Sequence, residues 1–330
     1  MKYRTFPRTD LTVSELGFGA WTLGTGWWGQ IEDKDAISLI HKAYDLGINF
    51  FDTADTYAEG KSESLVGEAL KDRRDKVILA TKFGYDIYNN APREGHRERP
   101  QDFSPKFIRF ALENSLKRLQ TDHIDIYQLH NPRVEAIRRN EVFETLEKLR
   151  EEGKIRYYGS ALGPDIGWFE EGAASMERRH VHSLQIIYSI LEQDPARGFF
   201  PIAQDEQVGL QVRVPHASEL LTDKFTEVPT FGPGDHRAFR KKEWLEQGMK
   251  KVVEVRFLTK EGSITMGQAA IKFCLSQPMV MTVLPNLTTA EELEEYTAAC
   301  DGNYFSALTM DRLSDLYDKN FYLEGKAPAG

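Results

Sequence analysis

Short apolar runs recur along this chain, most of them at intervals of roughly 25 to 30 residues, and amphipathic stretches lie between them. The runs are LGFGA (16–20), NFFDTA (49–54), VILATK (77–82) and IDIYQLH (124–130), followed by IRYYGSA (155–161), SLQIIYS (183–189), GLQVRVP (209–215) and MTVLPN (281–286). Their length and apolar character suit buried parallel strands. The intervening stretches carry helix signals. DAISLIHKAYDLG has apolar residues at helical spacing and ends on Gly47. Ser104-Pro105 opens FIRFALENSLKRL with an N-cap and a first-turn proline. EVFETLEKLREEG stops at Gly153, and SITMGQAAIKFCLSQ is expected to start at Ser263. Strict alternation of strand and helix with right-handed crossovers leaves a doubly wound open sheet or a closed barrel. Eight similar units without a linker or composition break favour an α/β (β/α)8 TIM barrel, read as one domain over 1–330. MKYRTFPRTDLTV predicts an N-terminal β-hairpin at the barrel bottom. The connections 83–104 and 216–262, after strands 3 and 7 of the repeat, are overlong, and long loops usually serve function.

Composition narrows the function classes. The net charge of −9 offers nothing to nucleic acid or an anionic membrane. Cys274 and Cys300 belong to no C-x-x-C, which argues against a disulfide framework or zinc site and fits a reducing compartment. No apolar run is long enough to span a bilayer, and the N-terminus has no apolar signal segment. The expectation is a soluble, cytoplasmic protein with a small-molecule partner; the sequence carries no signal for an oligomeric state.

Catalytic groups of such a barrel sit at the C-terminal ends of its strands. The second strand delivers Asp52, the third Lys82 and the fourth His130, with Tyr57 five residues beyond Asp52. A buried Lys82 ammonium needs a partner, and Asp52 on the adjacent strand supplies it. A phenol ionises near pH ~10 when free, and a neighbouring cation favours its phenolate. Tyr57 is therefore a candidate general acid. His130 is a second donor to a substrate oxygen that becomes alkoxide-like.

FFDTADTY (50–57), ATK (80–82) and YQLH (127–130), in this order, resemble the aldo-keto reductase family, and the likeness runs the whole chain. The resemblance implies reduction of carbonyls, or oxidation of alcohols, with NAD(H) or NADP(H) and without metal. It implies that Tyr57 is the proton donor, that Lys82 and Asp52 tune it, and that His130 orients the carbonyl. It places the cofactor on Gly19, Ala20, Trp21, Asp52, Ala161, Gln185, Ser218, Leu220 and Leu284. Trp21 and Trp28 border the substrate beside Tyr57 and His130. Some relatives are channel-associated subunits that hold cofactor and sense redox state, so a regulatory module is the alternative reading.

Several positions depart from the family pattern. Ala161 and Leu162 stand where a Ser-Asn pair usually holds the nicotinamide carboxamide, while Gln185 remains. Arg213, Val214 and Pro215 stand where an aromatic residue often stacks on the nicotinamide; a guanidinium can lie on that ring or bind the pyrophosphate. Asn286, Leu287 and Glu292 occupy positions that often hold Lys, Ser and Arg around a 2′-phosphate. The missing cations, and a carboxylate at Glu292, favour NAD(H). Glu292 also completes a capping box with Thr289. Adenine is expected near Glu295 and Tyr296. Lys224, or another cation of the 216–262 segment, would reverse the preference by folding over the adenosine end. A sugar or other hydroxylated aldehyde or ketone is the expected substrate.

Rival motifs fall short. GTGWWG (24–29) formally fits G-x-G-x-x-G, but two tryptophans stand where a backbone must approach a pyrophosphate. A glycine-permitted loop is the better reading, with Trp21, Trp27 and Trp28 either walling the substrate or simply packing. His180 and His182 precede the sixth strand, on the face away from the site. The basic run APREGHRERP (91–100) is either a solvated loop or an attractor of an anionic substrate.

Overall fold

A computed structural model describes residues 1–89, 98–163, 168–259 and 264–323. β1 (Tyr3–Thr5) and β2 (Thr12–Ser14) form an antiparallel hairpin. The barrel strands are β3 (Phe18–Gly19), β4 (Phe50–Asp52), β5 (Ile78–Phe83), β6 (Ile124–His130), β7 (Ile155–Ala161), β8 (Ser183–Ile187), β9 (Gly209–Arg213) and β10 (Val280–Leu284). Each pairs with the next in sequence order, in parallel. A parallel bridge between Leu16 and Val283 brings the two ends of the sheet together. Gly17 permits that approach, because a Cβ there would stand 2.7 Å from Leu284. The expected (β/α)8 barrel with an N-terminal hairpin is what the chain forms.

The outer helices are α1 (Asp33–Asp45), α2 (Lys61–Leu70), α3 (Pro105–Leu119), α4 (Val134–Arg138), α5 (Asn140–Glu151) and α6 (Phe169–Glu177), then α7 (Ala196–Asp205), α8 (Lys242–Val255), α9 (Met266–Leu275), α10 (Ala290–Thr297) and α11 (Ala307–Asp318). Ser104 caps α3 by accepting from the Phe107 amide, with Pro105 in the first turn. α9 begins later than expected. Thr265 and Gln268 form its capping box, satisfying two end groups reciprocally, whereas Ser263 lies outside the described residues. The first strand is also shorter than its apolar run, because Ala20 already opens a 3-10 turn (Ala20–Thr22).

The hairpin closes one end of the barrel. Phe6, Leu11 and Val13 pack with Phe50, Ile78, Ile126 and Met281 in one apolar cluster. Gly209 makes room, since a Cβ there would meet the Phe6 ring at 2.2 Å. Catalytic candidates are thereby left to the opposite end. Among the described residues no helix is long and apolar enough to cross a membrane.

Candidate active site

Parallel pairing puts Asp52 opposite Ala80 and Lys82 opposite Gln128, so these side chains meet inside the barrel mouth. Lys82 Nζ donates to Asp52 Oδ2 at 2.6 Å, to the Thr53 carbonyl at 2.8 Å and to Tyr57 Oη at 3.1 Å. The lysine side chain is 1% exposed. Burial opposes its ammonium, but Asp52 and then Tyr57 outweigh that cost and raise the lysine pKa, so Lys82 stays cationic. Tyr57 is delivered by a tight turn in which Ala58, Glu59 and Gly60 all adopt left-handed backbone. His130 ends β6 with its ring 5.9 Å from that of Tyr57. Burial, then Lys82 and Arg213, push its pKa far down, so the imidazole is neutral. His130 Nδ1 is buried and has no hydrogen-bond partner among the described residues. The four residues expected to act together are together.

The other carboxylate of the octet behaves differently. Asp55 is fully buried, and neither oxygen has a partner among the described residues. Burial, then the nearby Glu63, push its pKa well above the ordinary aspartate value, which favours the protonated form of this acid behind the site.

Two adjoining cavities open above the tetrad, of about 320 and 280 Å³, and both are lined by Trp21, Tyr57, Gln185, Arg213 and His236. The larger adds His130, Ala161 and Leu162, with a polar rim from Tyr85, Glu98, Asn131 and Arg133. The other runs past Asp52 and Gly19 to Val214, Ser218, Leu284 and Asn286. Arg213 donates to the Leu162 carbonyl at 2.9 Å and otherwise faces both cavities. Asn286 accepts from the Trp21 indole at 3.2 Å. Trp27 lines the larger cavity, whereas Trp28 lines the smaller one beneath the Arg237 guanidinium, 4.6 Å from the ring centroid. The three tryptophans expected either to wall the substrate or to pack are thus divided: Trp21 borders both cavities, Trp27 the larger and Trp28 the smaller.

The long segment after β9 roofs the smaller cavity. The His236 amide donates to the Trp27 carbonyl at 3.1 Å, and its ring stands edge-on to Trp21 at 4.5 Å. Arg240 donates to Ser218 Oγ at 3.0 Å and to Glu192 at 2.9 Å. Arg237 and Arg240 both line this cavity, so cations stand along it. Sequence reading missed His236, Arg237 and Arg240 individually, because they belong to no strand end; only the length of the 216–262 connection flagged them. Tyr85 and Asn131 were missed too, although Asn131 directly follows His130.

Glu292 requires a correction. The preference for NAD(H) rested on the missing cations at Asn286, Leu287 and Glu292 and on the Glu292 carboxylate standing unpaired, and that carboxylate is paired. Lys224 Nζ donates to it at 2.5 Å and to Glu219 at 3.0 Å. Its other oxygen accepts from the Thr288 and Thr289 amides at 2.7 and 3.2 Å, which completes the capping box of α10. Lys224, from the long connection, does reach Glu292, but Glu219 holds it as well, and Arg237 also pairs with Glu219. Several expected cofactor contacts lie off both cavities: Ala20, Pro215, Leu220, Glu292, Glu295 and Tyr296. Tyr296 is buried against the His216 ring at 4.5 Å, and Glu295 accepts from Thr265. Leu220 would abut a Cβ at Gly248, so it packs inward. The basic run 91–100 lies mostly outside the described residues; Arg99, at its end, pairs with Glu59 at 2.5 Å. His180 pairs with Glu206, and His182 is buried between Tyr157 and Tyr158, both before β8 and away from the mouth.

Comparison with known proteins agrees with this geometry. The model of the aldo/keto reductase family matches residues 15–318. The uncharacterized oxidoreductase YqkF of Bacillus subtilis is 31% identical over 98% of each chain. The NADH-specific methylglyoxal reductase of Escherichia coli is 32% identical, over 93% of this chain and 96% of that one. The holo form of the aldo-keto reductase AKR11C1 from Bacillus halodurans superposes with a TM-score of 0.78 at 32% identity, over 96% of both chains. A closed parallel barrel, the strand-end residues at its mouth and a match over nearly the whole length converge on one assignment: this chain is an oxidoreductase of the aldo/keto reductase family.

Proposed function

We propose that this chain reduces a small hydroxylated aldehyde or ketone, such as a sugar, with a nicotinamide dinucleotide, and oxidises the matching alcohol in reverse. The carrying observation is the single ammonium of Lys82 bonded at once to Asp52 and Tyr57 where the two cavities meet. A nicotinamide dinucleotide, when bound, would supply the hydride for the carbonyl carbon. Tyr57 gives its proton to the carbonyl oxygen, and Lys82 stabilises the phenolate left behind. Asp52 keeps Lys82 charged and in place. Neutral His130 donates a ring N–H to the same oxygen, positioning it without competing as the acid. In the alcohol direction the Tyr57 phenolate takes the proton back.

The residues present suit the cofactor. Gln185 Oε1 has no partner among the described residues and stands at the cavity junction, fit to accept from a carboxamide. Arg213 supplies a planar cation where an aromatic ring is more usual in the family. Arg237 and Arg240 line the smaller cavity where a diphosphate would run, each already paired, Arg237 with Glu219 and Asp235 and Arg240 with Glu192, so they offer it only their remaining N–H groups. The polar rim of Tyr85, Asn131 and Arg133 offers partners to substrate hydroxyls.

NAD(H) is the preferred dinucleotide in this reading, for a reason different from simple repulsion. The cation nearest the adenosine end, Lys224, is already held by Glu219 and Glu292. A 2′-phosphate carries about −1.5 to −2 charge and would have to pull Lys224 from both carboxylates. A ribose hydroxyl makes no such demand. Fluorescence titration with NADH and NADPH at matched ionic strength, beside turnover of glyceraldehyde, methylglyoxal and aldose sugars, tests both levels. Tighter NADH and turnover of at least one carbonyl are expected. Equal or tighter NADPH would remove the preference, and an absence of binding and turnover would remove the whole reading.

A further inference from the structure

Behind the catalytic lysine lies a closed circuit of four buried side chains from four strands. Asp52 (β4), Gln128 (β6), Gln185 (β8) and Gln211 (β9) are each at most 4% exposed. Asp52 Oδ1 accepts from Gln128 Nε2 at 3.0 Å and from Gln185 Nε2 at 3.1 Å. Gln185 Nε2 also donates to Gln211 Oε1 at 3.1 Å, and Gln211 Nε2 donates to Gln128 Oε1 at 3.2 Å. An ionised carboxylate only accepts. Both glutamines facing it must therefore present their NH2 ends. Gln185 spends both N–H groups, one on Asp52 and one on Gln211. Gln211 must then offer its oxygen to Gln185 and its NH2 to Gln128, whose own NH2 faces Asp52. Each amide has one orientation that satisfies all the bonds, and a flip anywhere sets like ends against each other in a buried site. The free end is Gln185 Oε1, at the cavity junction.

We infer that Gln211 and Gln128, which line neither cavity, are positioning residues that lock Gln185 with its carbonyl toward the cofactor and hold the Asp52 carboxylate on Lys82. The inference rests on the proposed use of a nicotinamide cofactor, and it explains how one glutamine serves where Ala161 and Leu162 replace the usual pair. Gln185 is then an acceptor only, so the group it recognises must be a donor: the carboxamide N–H.

Two measurements test this. The first uses the unaltered protein and reads binding alone. Reduced 3-acetylpyridine adenine dinucleotide carries a methyl where NADH carries the carboxamide NH2. NADH should bind about tenfold more tightly, the size of one lost hydrogen bond. Equal affinity would overturn the assigned polarity. The second reads Gln211, which touches neither ligand. Gln211→Met should raise the Kd and KM for NADH about tenfold while the carbonyl KM stays put. Gln211→Glu replaces the NH2 with a carboxyl. Protonated, it can still donate to Gln128; ionised, it cannot, and it adds a second negative charge to the circuit that already holds Asp52. The other ionisable groups around the circuit are Lys82, which stays cationic, Tyr57, neutral His130 and Arg213. NADH binding to Gln211→Glu should therefore approach the unaltered value at low pH and weaken as pH rises, a limb absent from the unaltered protein. A pH-independent Kd equal to the unaltered protein's in both variants overturns the inference. If Gln211→Met does not fold, the Gln211→Glu titration and the analogue comparison still decide it. Tyr57→Phe keeps the readouts apart. Retained turnover there undermines the proton-donor reading, while NADH binding by the circuit is judged independently.

Discussion

Tyr57 and Lys82 make the proposed mechanism most exposed to test. Tyr57→Phe keeps the ring that packs edge-on against Trp21 and His130 but removes the proton. Carbonyl reduction should fall by on the order of 10²- to 10⁴-fold, the usual cost of losing a general acid, with NADH affinity kept. Near-unaltered turnover with any accepted carbonyl would remove Tyr57 from its role. Lys82→Met preserves length but leaves Asp52 buried without its cation. It should be at least as damaging and should move the pH dependence of turnover; an unchanged profile would mean that Lys82 does not act on Tyr57. These residues were legible in the sequence because a strand-final charge after an apolar run has few explanations, and three such ends on consecutive strands have fewer. Asp55 was not legible as a neutral acid. Its state depends on Glu63 and on complete burial, which no local spacing encodes. The glutamine circuit was equally hidden: Gln185 is expected from the sequence as a cofactor contact, but it meets Gln128 and Gln211 only when three separate strands stand in register.

Among the elements, α10 shows how a correct local reading can leave out a partner from far along the chain. T-x-x-E predicted a capping box, and Thr289 with Glu292 forms one. The same carboxylate also reads as disfavouring a 2′-phosphate, with Lys224 only a cation able to reverse that; their pairing spans 68 positions, from a connection with no periodic pattern to place it. Elements with strong periodicity were found close to their true limits. Errors gathered where end groups decide: Ala20 turning into a 3-10 helix, and Thr265 rather than Ser263 opening the described helix. The clasp yields a prediction at this scale. Glu292→Gln keeps a side chain able to cap Thr289 but removes one of the two charges holding Lys224. The freed ammonium can then meet a 2′-phosphate. NADPH affinity should improve by about fivefold to tenfold, roughly one charge-assisted contact, with NADH affinity little changed. Titration of the variant with both nucleotides checks it; an unchanged ratio would show that the adenosine ribose lies out of reach of Lys224.

Across the whole barrel, buried ionisable groups of opposite sense set how stability answers to pH. His182, wedged between Tyr157 and Tyr158 at the hairpin end, is pushed by burial from 6.5 to about 4. His216, under Tyr296, is likewise lowered to about 4 by burial. Between about pH 4 and 6.5 the unfolded chain binds protons at these histidines that the folded chain refuses. Stability therefore rises with pH across that window and is fully recovered above it. At about 1.4 kcal/mol per unit, each histidine is worth at most roughly 3.5 kcal/mol. Asp55 pulls the other way. Its folded pKa lies above its unfolded one, so the folded chain holds the extra proton, and stability falls as pH climbs from the ordinary aspartate range toward the raised value. The unaltered protein should thus show a shallower acid response than its histidines alone dictate. Two variants separate the contributions. His182→Phe keeps an aromatic ring between the two tyrosines and removes the titration, so its Tm should lose less than that of the unaltered protein on going from pH 6.5 to pH 4.5. Asp55→Asn should raise Tm at pH 7, where the buried acid is most costly, with the gain shrinking toward pH 4 and the acid response growing steeper. Thermal melts of all three proteins across this range read the outcome. Parallel Tm curves for Asp55→Asn and the unaltered protein would mean that Asp55 is not a protonated acid behind the site, and that the pH dependence of the fold has to be sought in its surface carboxylates instead.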